Sequence, residues 1–184
     1  MKSLEIIGFK RANLGKTEAK ALRLDANVPC VLYGGKDQVH FYVPMILFRD
    51  LVYTPEVHKV DLNIEGDKYE AILQDVQFHP VNEMLLHADF LLLDNEKQII
   101  MDIPVVFEGT AIGIQKGGKL VQKMKKVKVK SLPQNMPDKI SININHLDLG
   151  KSVRVSELSA ENCVILTNPN ITVFNIAVPR ALRA

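Results

Sequence analysis

Apolar and polar residues alternate with period two along most of this chain, which predicts strands that each bury one face. Leu4, Ile6 and Phe9 open a first strand. Val28 to Tyr33 predicts a second, ended by Gly34-Gly35, a pair that tolerates the positive φ of a tight turn. Val39 to Val43 follows and stops at Pro44. Val60-Asp61-Leu62-Asn63-Ile64 alternates throughout, Glu65-Gly66-Asp67 reverses the chain, and Tyr69 to Leu73 returns as the other arm of a hairpin. Met84 to Leu93 continues the sheet.

Helical signals are few. Thr17 to Leu24 is rich in good helix formers and follows Asn13 and Gly15. Ala19, Leu22 and Ala26 fall near one face of such a helix, with Lys16, Lys20 and Arg23 on another. Met45 to Tyr53 is a second candidate, stopped by Thr54-Pro55. The polar tetrapeptide Asp94-Asn95-Glu96-Lys97 separates two apolar strands and marks a boundary, giving domains 1–93 and 94–184. Beyond it, Ile99 to Phe107 contains Pro104, which points to an edge strand or a bulge. Lys126-Val127-Lys128-Val129-Lys130 and Ile140 to Ile144 alternate, and Val164 to Leu166 and Ile171 to Val178 finish the sheet. The tail Pro179 to Ala184 is expected to be mobile. The pattern predicts a mainly β protein of two β-rich domains and a short linker.

The formal charge of +2 hides segregation along the chain. Residues 1–36 balance at +4, residues 37–108 at −10, and residues 109–130 hold seven lysines and no acid. Such blocks suit an oriented encounter with a polyanion. Cys30 and Cys163 each lie in an apolar run and read as buried thiols of a reducing compartment. The amino end carries charge where a secretory signal needs an apolar core, and no apolar run approaches the roughly 20 residues that cross a bilayer. A cytoplasmic protein without membrane contact is expected.

Catalysis has little support. His79, His87 and Asp89 are of metal-ligating types, and His87-x-Asp89 puts two side chains on one strand face, but the spacing fits no common metal pattern. No nucleophile elbow, Walker loop or dinucleotide fingerprint occurs. Gly34-Gly35-Lys36 reads as a hairpin turn carrying a cation. RNA binding has the better physical warrant. Lys10, Arg11, Lys16, Lys20 and Arg23 can neutralise phosphates, and Tyr33 at a strand end can stack on a base or bond a ribose hydroxyl. Gln74, His87 and Asp89 offer donors and acceptors of fixed geometry. An aspartate near phosphates is informative, because it is costly unless it accepts from a base amine or orients a basic neighbour.

Val28-Pro29-Cys30-Val31-Leu32-Tyr33-Gly34-Gly35, Gln74-Asp75-Val76-Gln77-Phe78-His79-Pro80 and His87-Ala88-Asp89-Phe90 together resemble bacterial large-subunit ribosomal protein twenty-five, in its long form related to the general stress protein CTC. Phe107-Glu108-Gly109-Thr110-Ala111-Ile112-Gly113, Gly117-Gly118 and Leu147-Asp148-Leu149-Gly150 extend the similarity over nearly the whole chain. The resemblance implies an N-terminal six-stranded β-barrel with short helices that binds the loop E region of 5S rRNA, plus a second β domain. It implies no catalytic residue, metal or other cofactor. The RNA contacts it carries over are Lys10 or Arg11, Lys16, Lys20, Arg23, Tyr33, Gln74, His79, His87 and Asp89. At Lys20 the family commonly has arginine, and lysine keeps the charge but gives up the bidentate fork. An extra residue near Ala12 to Leu14 leaves Lys10 and Arg11 as alternatives for one position.

For residues 94–184 the implied partners are ribosomal proteins or further rRNA. The lysines from Lys116 to Lys130 read equally well as an rRNA contact and as protection of an edge strand. The leading reading is a non-catalytic ribosomal structural protein that clamps 5S rRNA and is a monomer when free. The alternatives are a tRNA-binding barrel, a metal-dependent hydrolase using His79, His87 and Asp89, and a stress-related interaction protein acting off the ribosome.

Overall fold

Every second side chain of His58–Ile64 is buried, and the same period bends the first half of the chain into a barrel. In this computed structural model, which describes residues 2–160 and 162–179, the chain forms two compact units, Met1–Lys97 and Gln98–Ala184. In the first, β1 (Lys2–Lys10), β2 (Asn27–Tyr33), β3 (Val39–Pro44), β4 (His58–Ile64), β5 (Asp67–Phe78) and β6 (Leu85–Leu92) close in the order β1-β3-β2-β6-β5-β4. The β1–β4 and β2–β6 junctions are parallel and the other four antiparallel. Closure leaves no open sheet edge.

Inside the barrel, Ile6, Val28, Leu32, Phe41, Leu62 and Phe90 are buried. The Phe41 and Phe90 rings lie 5.7 Å apart. Full burial of each such side chain contributes about 1.5–3 kcal/mol relative to exposure. Gly8 is required where β1 crosses Phe41, because a Cβ there would lie 2.7 Å from the ring. The helix expected from Met45 to Tyr53 is instead a 3-10 turn, Met45–Phe48, running into a single α turn, α2 (Arg49–Val52). Its purpose is packing: Phe48 and Leu51 are buried, and Phe48 sits 6.2 Å from Phe90.

Helix α1 (Lys16–Leu24) buries no residue fully and packs on β2. Ala26, counted above on its inner face, falls beyond its end: Leu24 is the last helical residue, and Ala26 is exposed at φ 57°.

The second unit contains β7 (Ile99–Glu108), α3 (Ile112–Gln115), β8 (Lys119–Gln122), β9 (Lys126–Ser131), β10 (Ile140–Asn143), β11 (Ser152–Arg154), β12 (Val164–Ile165) and β13 (Thr172–Ala177). These strands form two sheets rather than one, ordered β10-β7-β9-β12 and β11-β13-β8. Pro104 explains the layout of the larger sheet. Up to Pro104, β7 pairs with β9; from Val105 onward it pairs with β10 on its other side. The proline therefore marks a change of partner: Ile99–Pro104 is flanked by β9 alone, a local edge within a strand that is internal to the sheet as a whole.

Two expectations for this unit are corrected. Cys163 is half-buried, not core, because it precedes the two-residue edge strand β12; its thiol donates to the Asn135 carbonyl at 3.4 Å. The lysine-bearing strand β9 is not an edge, since β7 flanks it on one side and β12 on the other. Residues 180–184 of the tail lie outside the described residues.

Candidate nucleic-acid interface

Two irregularities in the β5–β6 pairing build the candidate site. Ala71 and Leu73 point toward the barrel core, and strict alternation would send Asp75 there too. A bulge between Leu73 and Asp75 makes Gln74 the extra residue and shifts the phase by one. Val76 then packs on the core, while Gln74, Asp75 and Gln77 are exposed. Asp75 comes to lie across from Asp89, and Gln77 across from His87.

His87 and Asp89 share one face of β6, and His87 Nδ1 lies 2.7 Å from Asp89 Oδ1. The carboxylate fixes the imidazole ring and its tautomer, which leaves Nε2 for another partner. Tyr33, at the end of β2, completes this group. Its phenol pKa is raised by partial burial and by the negative charges of Asp89 and Asp75. Tyr33 is half-buried rather than open, with its hydroxyl held protonated as a donor.

The second irregularity falls between Gln77 and Phe78, where Phe78 pairs with Leu85 and Leu86 is passed over. Arg23 uses that interruption: its Nε donates to the Leu86 carbonyl at 2.9 Å. This bond ties α1 beside His87 and leaves Lys16 and Lys20 exposed along the helix.

The two residues that competed for one position at the end of β1 have different environments. Lys10 is paired: Nζ lies 2.9 Å from Asp67 Oδ2, its backbone N–H donates to Glu65 at 3.2 Å, and the Asp67 hydrogen bond raises its pKa. Arg11 donates its backbone N–H to His40 at 3.0 Å, while its Nε and Nη2 are buried without a hydrogen-bond partner. Arg11 and Asp89 both act electrostatically on the Cys30 thiol, with opposite signs. Arg11 is thus held beside β3 through His40, and Lys10 is engaged at the β4–β5 turn.

His79 plays a different local part. It follows β5, and its Nδ1 accepts backbone N–H groups of Val81 (3.3 Å) and Asn82 (3.5 Å), which organises the turn into β6. An Nδ1 that accepts places the proton on Nε2. Among the described residues no three His, Cys, Asp or Glu side chains converge to hold a metal, so His79 does not join His87 and Asp89 as a ligand set. No described helix is long and apolar enough to cross a membrane.

The gathered face thus holds Tyr33, Gln74, His87 and Asp89, with α1 beside it. Sequence reasoning missed Asp75, because a period-two reading puts it inside the barrel. Two adjacent exposed polar residues, Gln74 and Asp75, interrupting an alternating strand were the available signal.

Two family models match this chain in succession. Residues 6–90 match the Ribosomal L25p family, and residues 98–180 match the C-terminal domain of ribosomal protein TL5. The large ribosomal subunit protein bL25 of Cytophaga hutchinsonii is 56% identical over 183 residues, covering 100% of this chain and 95% of that protein. The protein of the same description from Amoebophilus asiaticus is 56% identical over 184 residues, with 94% of its length covered, and that of Bacteroides fragilis is 46% identical over 188 residues.

Proposed function

The chain belongs to the bL25 family of large ribosomal subunit proteins, in its long form, and from that premise we propose that its barrel clamps 5S rRNA at the loop E region. The family is one of structural constituents of the ribosome and not of enzymes, and the chain acts in the cytoplasm as part of the large subunit.

The observation that carries the reading is the His87–Asp89 pair, held at 2.7 Å on the outer barrel face. Orienting His87 gives Asp89 a reason to stand where phosphates approach, and its remaining lone pairs can accept from a base amine. Tyr33 supplies a hydroxyl donor and a ring for stacking or ribose contact. Gln74, on its bulge, projects an amide that donates and accepts. Lys16, Lys20, Arg11 and Arg23 provide positive charge that positions the protein without reading sequence. His79, through Nε2, donates from the β5–β6 turn. Lys10 contributes least, because Asp67 already neutralises it.

The four or five phosphates engaged by the barrel contribute roughly −3 to −4.5 to the slope of log affinity against log salt. Chemical footprinting of 5S rRNA with the full chain tests the proposal directly. Protection confined to loop E, with tRNA a poor competitor, is the expected result. Equal competition by tRNA, or a slope near zero, would overturn it in favour of a tRNA-binding module or a role off the ribosome.

A further inference from the structure

The two units differ sharply in charge. Residues 1–97 hold eleven basic and fifteen acidic side chains, net −4, whereas residues 98–184 hold twelve and six, net +6. A protein whose barrel seats on RNA thus carries its positive excess elsewhere. Much of that excess lies on one strand. In β9, Val127, Val129 and Ser131 are buried, which turns Lys126, Lys128 and Lys130 to the opposite face. Successive lysines on one strand face stand roughly 6.6 Å apart, comparable to the separation of neighbouring phosphates along an RNA strand.

None of the three has a carboxylate within ion-pair distance among the described residues, in contrast to Lys116, whose Nζ lies 2.8 Å from Asp148. Asp102 is the acid directly across the register, opposite Lys128, and the two do not form an ion pair. Edge protection does not account for Lys128 or Lys130, which β12 and the residues after it cover. The backbone of Lys128 is used on the side away from β7, donating its N–H to Thr167 Oγ1 at 2.9 Å and accepting from Leu166 N–H at 2.8 Å. Nothing remains there for an intruding strand to pair with.

We propose that the Lys126–Lys128–Lys130 face of β9 is a second RNA contact, a row of point charges that follows a phosphodiester backbone without reading its bases. The inference extends the reading of the barrel as an RNA clamp and adds a second sequence-independent contribution to that of the barrel's own cations. Lysine suits this role, since a flexible ammonium neutralises a phosphate without the fixed geometry of a guanidinium.

The test uses the full chain and two probes: 5S rRNA, and a generic RNA duplex lacking loop E. The triple variant Lys126→Gln, Lys128→Gln, Lys130→Gln is expected to make the salt slope for the generic duplex shallower by roughly 2 to 3, at 0.7–0.9 per lost phosphate contact. The loop E footprint on 5S rRNA should persist. The triple arginine variant should keep the wild-type slope, which separates charge from folding. An unchanged slope in the glutamine variant overturns the proposal. Loss of incorporation into large subunits with an unchanged slope overturns it too, and points to an acidic protein surface instead. Absence of a loop E footprint in the wild-type chain refutes the barrel reading alone, because the duplex arm still reports on β9.

Discussion

Asp75 lies directly across from Asp89 in the β5–β6 register, so two carboxylates oppose each other on the outer face of the barrel. Like charges in directly opposed positions are destabilising by roughly 0.2–1 kcal/mol. The bulge at Gln74 creates this opposition, and partial relief comes from His87, which bonds Asp89. Asp75→Asn is expected to stabilise the free barrel by a few tenths of a kcal/mol up to about 1 kcal/mol, measured by hydrogen exchange of the β5 and β6 amides. The same variant should weaken binding to loop E. A less stable Asp75→Asn barrel would show that the two carboxylates do not repel each other in the free protein.

Positioning and reading separate on different residues. Asp89→Ala removes the group that orients His87 and a candidate acceptor for a base amine, and should cost about 1–3 kcal/mol for loop E with little change for generic duplex RNA. Lys16→Ala should weaken both ligands alike and make the salt slope shallower by 0.7–0.9, about one phosphate contact. Parallel titrations of the two variants against both RNAs decide the matter. Equal losses from both substitutions would refute the division.

Arg11 bears a cost in the free protein. Its Nε and Nη2 are buried without partners, and a buried donor left unmade costs about 1–3 kcal/mol. Arg11→Met keeps the length of the side chain and removes those donors, so it is expected to raise resistance to urea while lowering affinity for 5S rRNA. Lys10→Met should leave the RNA affinity almost unchanged, because Lys10 is already paired with Asp67. A destabilised Arg11→Met barrel would indicate that the guanidinium is satisfied in solution.

The strands of the barrel were legible because each buries one face, and period two leaves a direct trace: His58–Ile64 alternates without fault and pairs as a hairpin with β5. The functional face was legible in part. His87 and Asp89 stand two apart in a regular strand, so their common side followed from spacing. Asp75 did not, and for Arg23 the sequence showed its place on the basic helix but not its bond to Leu86. Each depends on an irregularity of register, at Gln74 and at Leu86, and the one trace an inserted residue leaves, here the adjacent polar pair Gln74-Asp75, is faint in a hydropathy pattern that polar residues already dominate. The Lys10 and Arg11 alternative also needed three dimensions, because the partner of Lys10 lies 57 residues away. In the second unit, Pro104 was read as an edge strand or a bulge, and it ends the stretch of β7 that has a single neighbour. A missing N–H is tolerated at an edge and equally where an internal strand exchanges partners.

The two cysteines offer a test of the packing beneath the interface. Burial raises the pKa of Cys30 well above the ordinary thiol range, the charge of Asp89 adds to the shift, and Arg11 opposes it. A raised folded value favours the neutral thiol in the native state. Its contribution to stability is therefore intact below the ordinary value of 9.0 and is lost as pH rises above it, because the unfolded chain then ionises and the folded one does not. The loss approaches 1.4 kcal/mol per pH unit. Tyr33, also raised, acts with the same sign above its ordinary value of 10.0, so some alkaline slope persists without Cys30. Cys30→Val should flatten the decline between pH 9 and 10 in a series of denaturant titrations. Iodoacetamide at pH 8 should modify the half-buried Cys163 while leaving Cys30 protected, as read by peptide mass spectrometry. Equal labelling of the two thiols, or an unchanged alkaline slope in Cys30→Val, would show that the β2 wall under Asp89 opens to solvent.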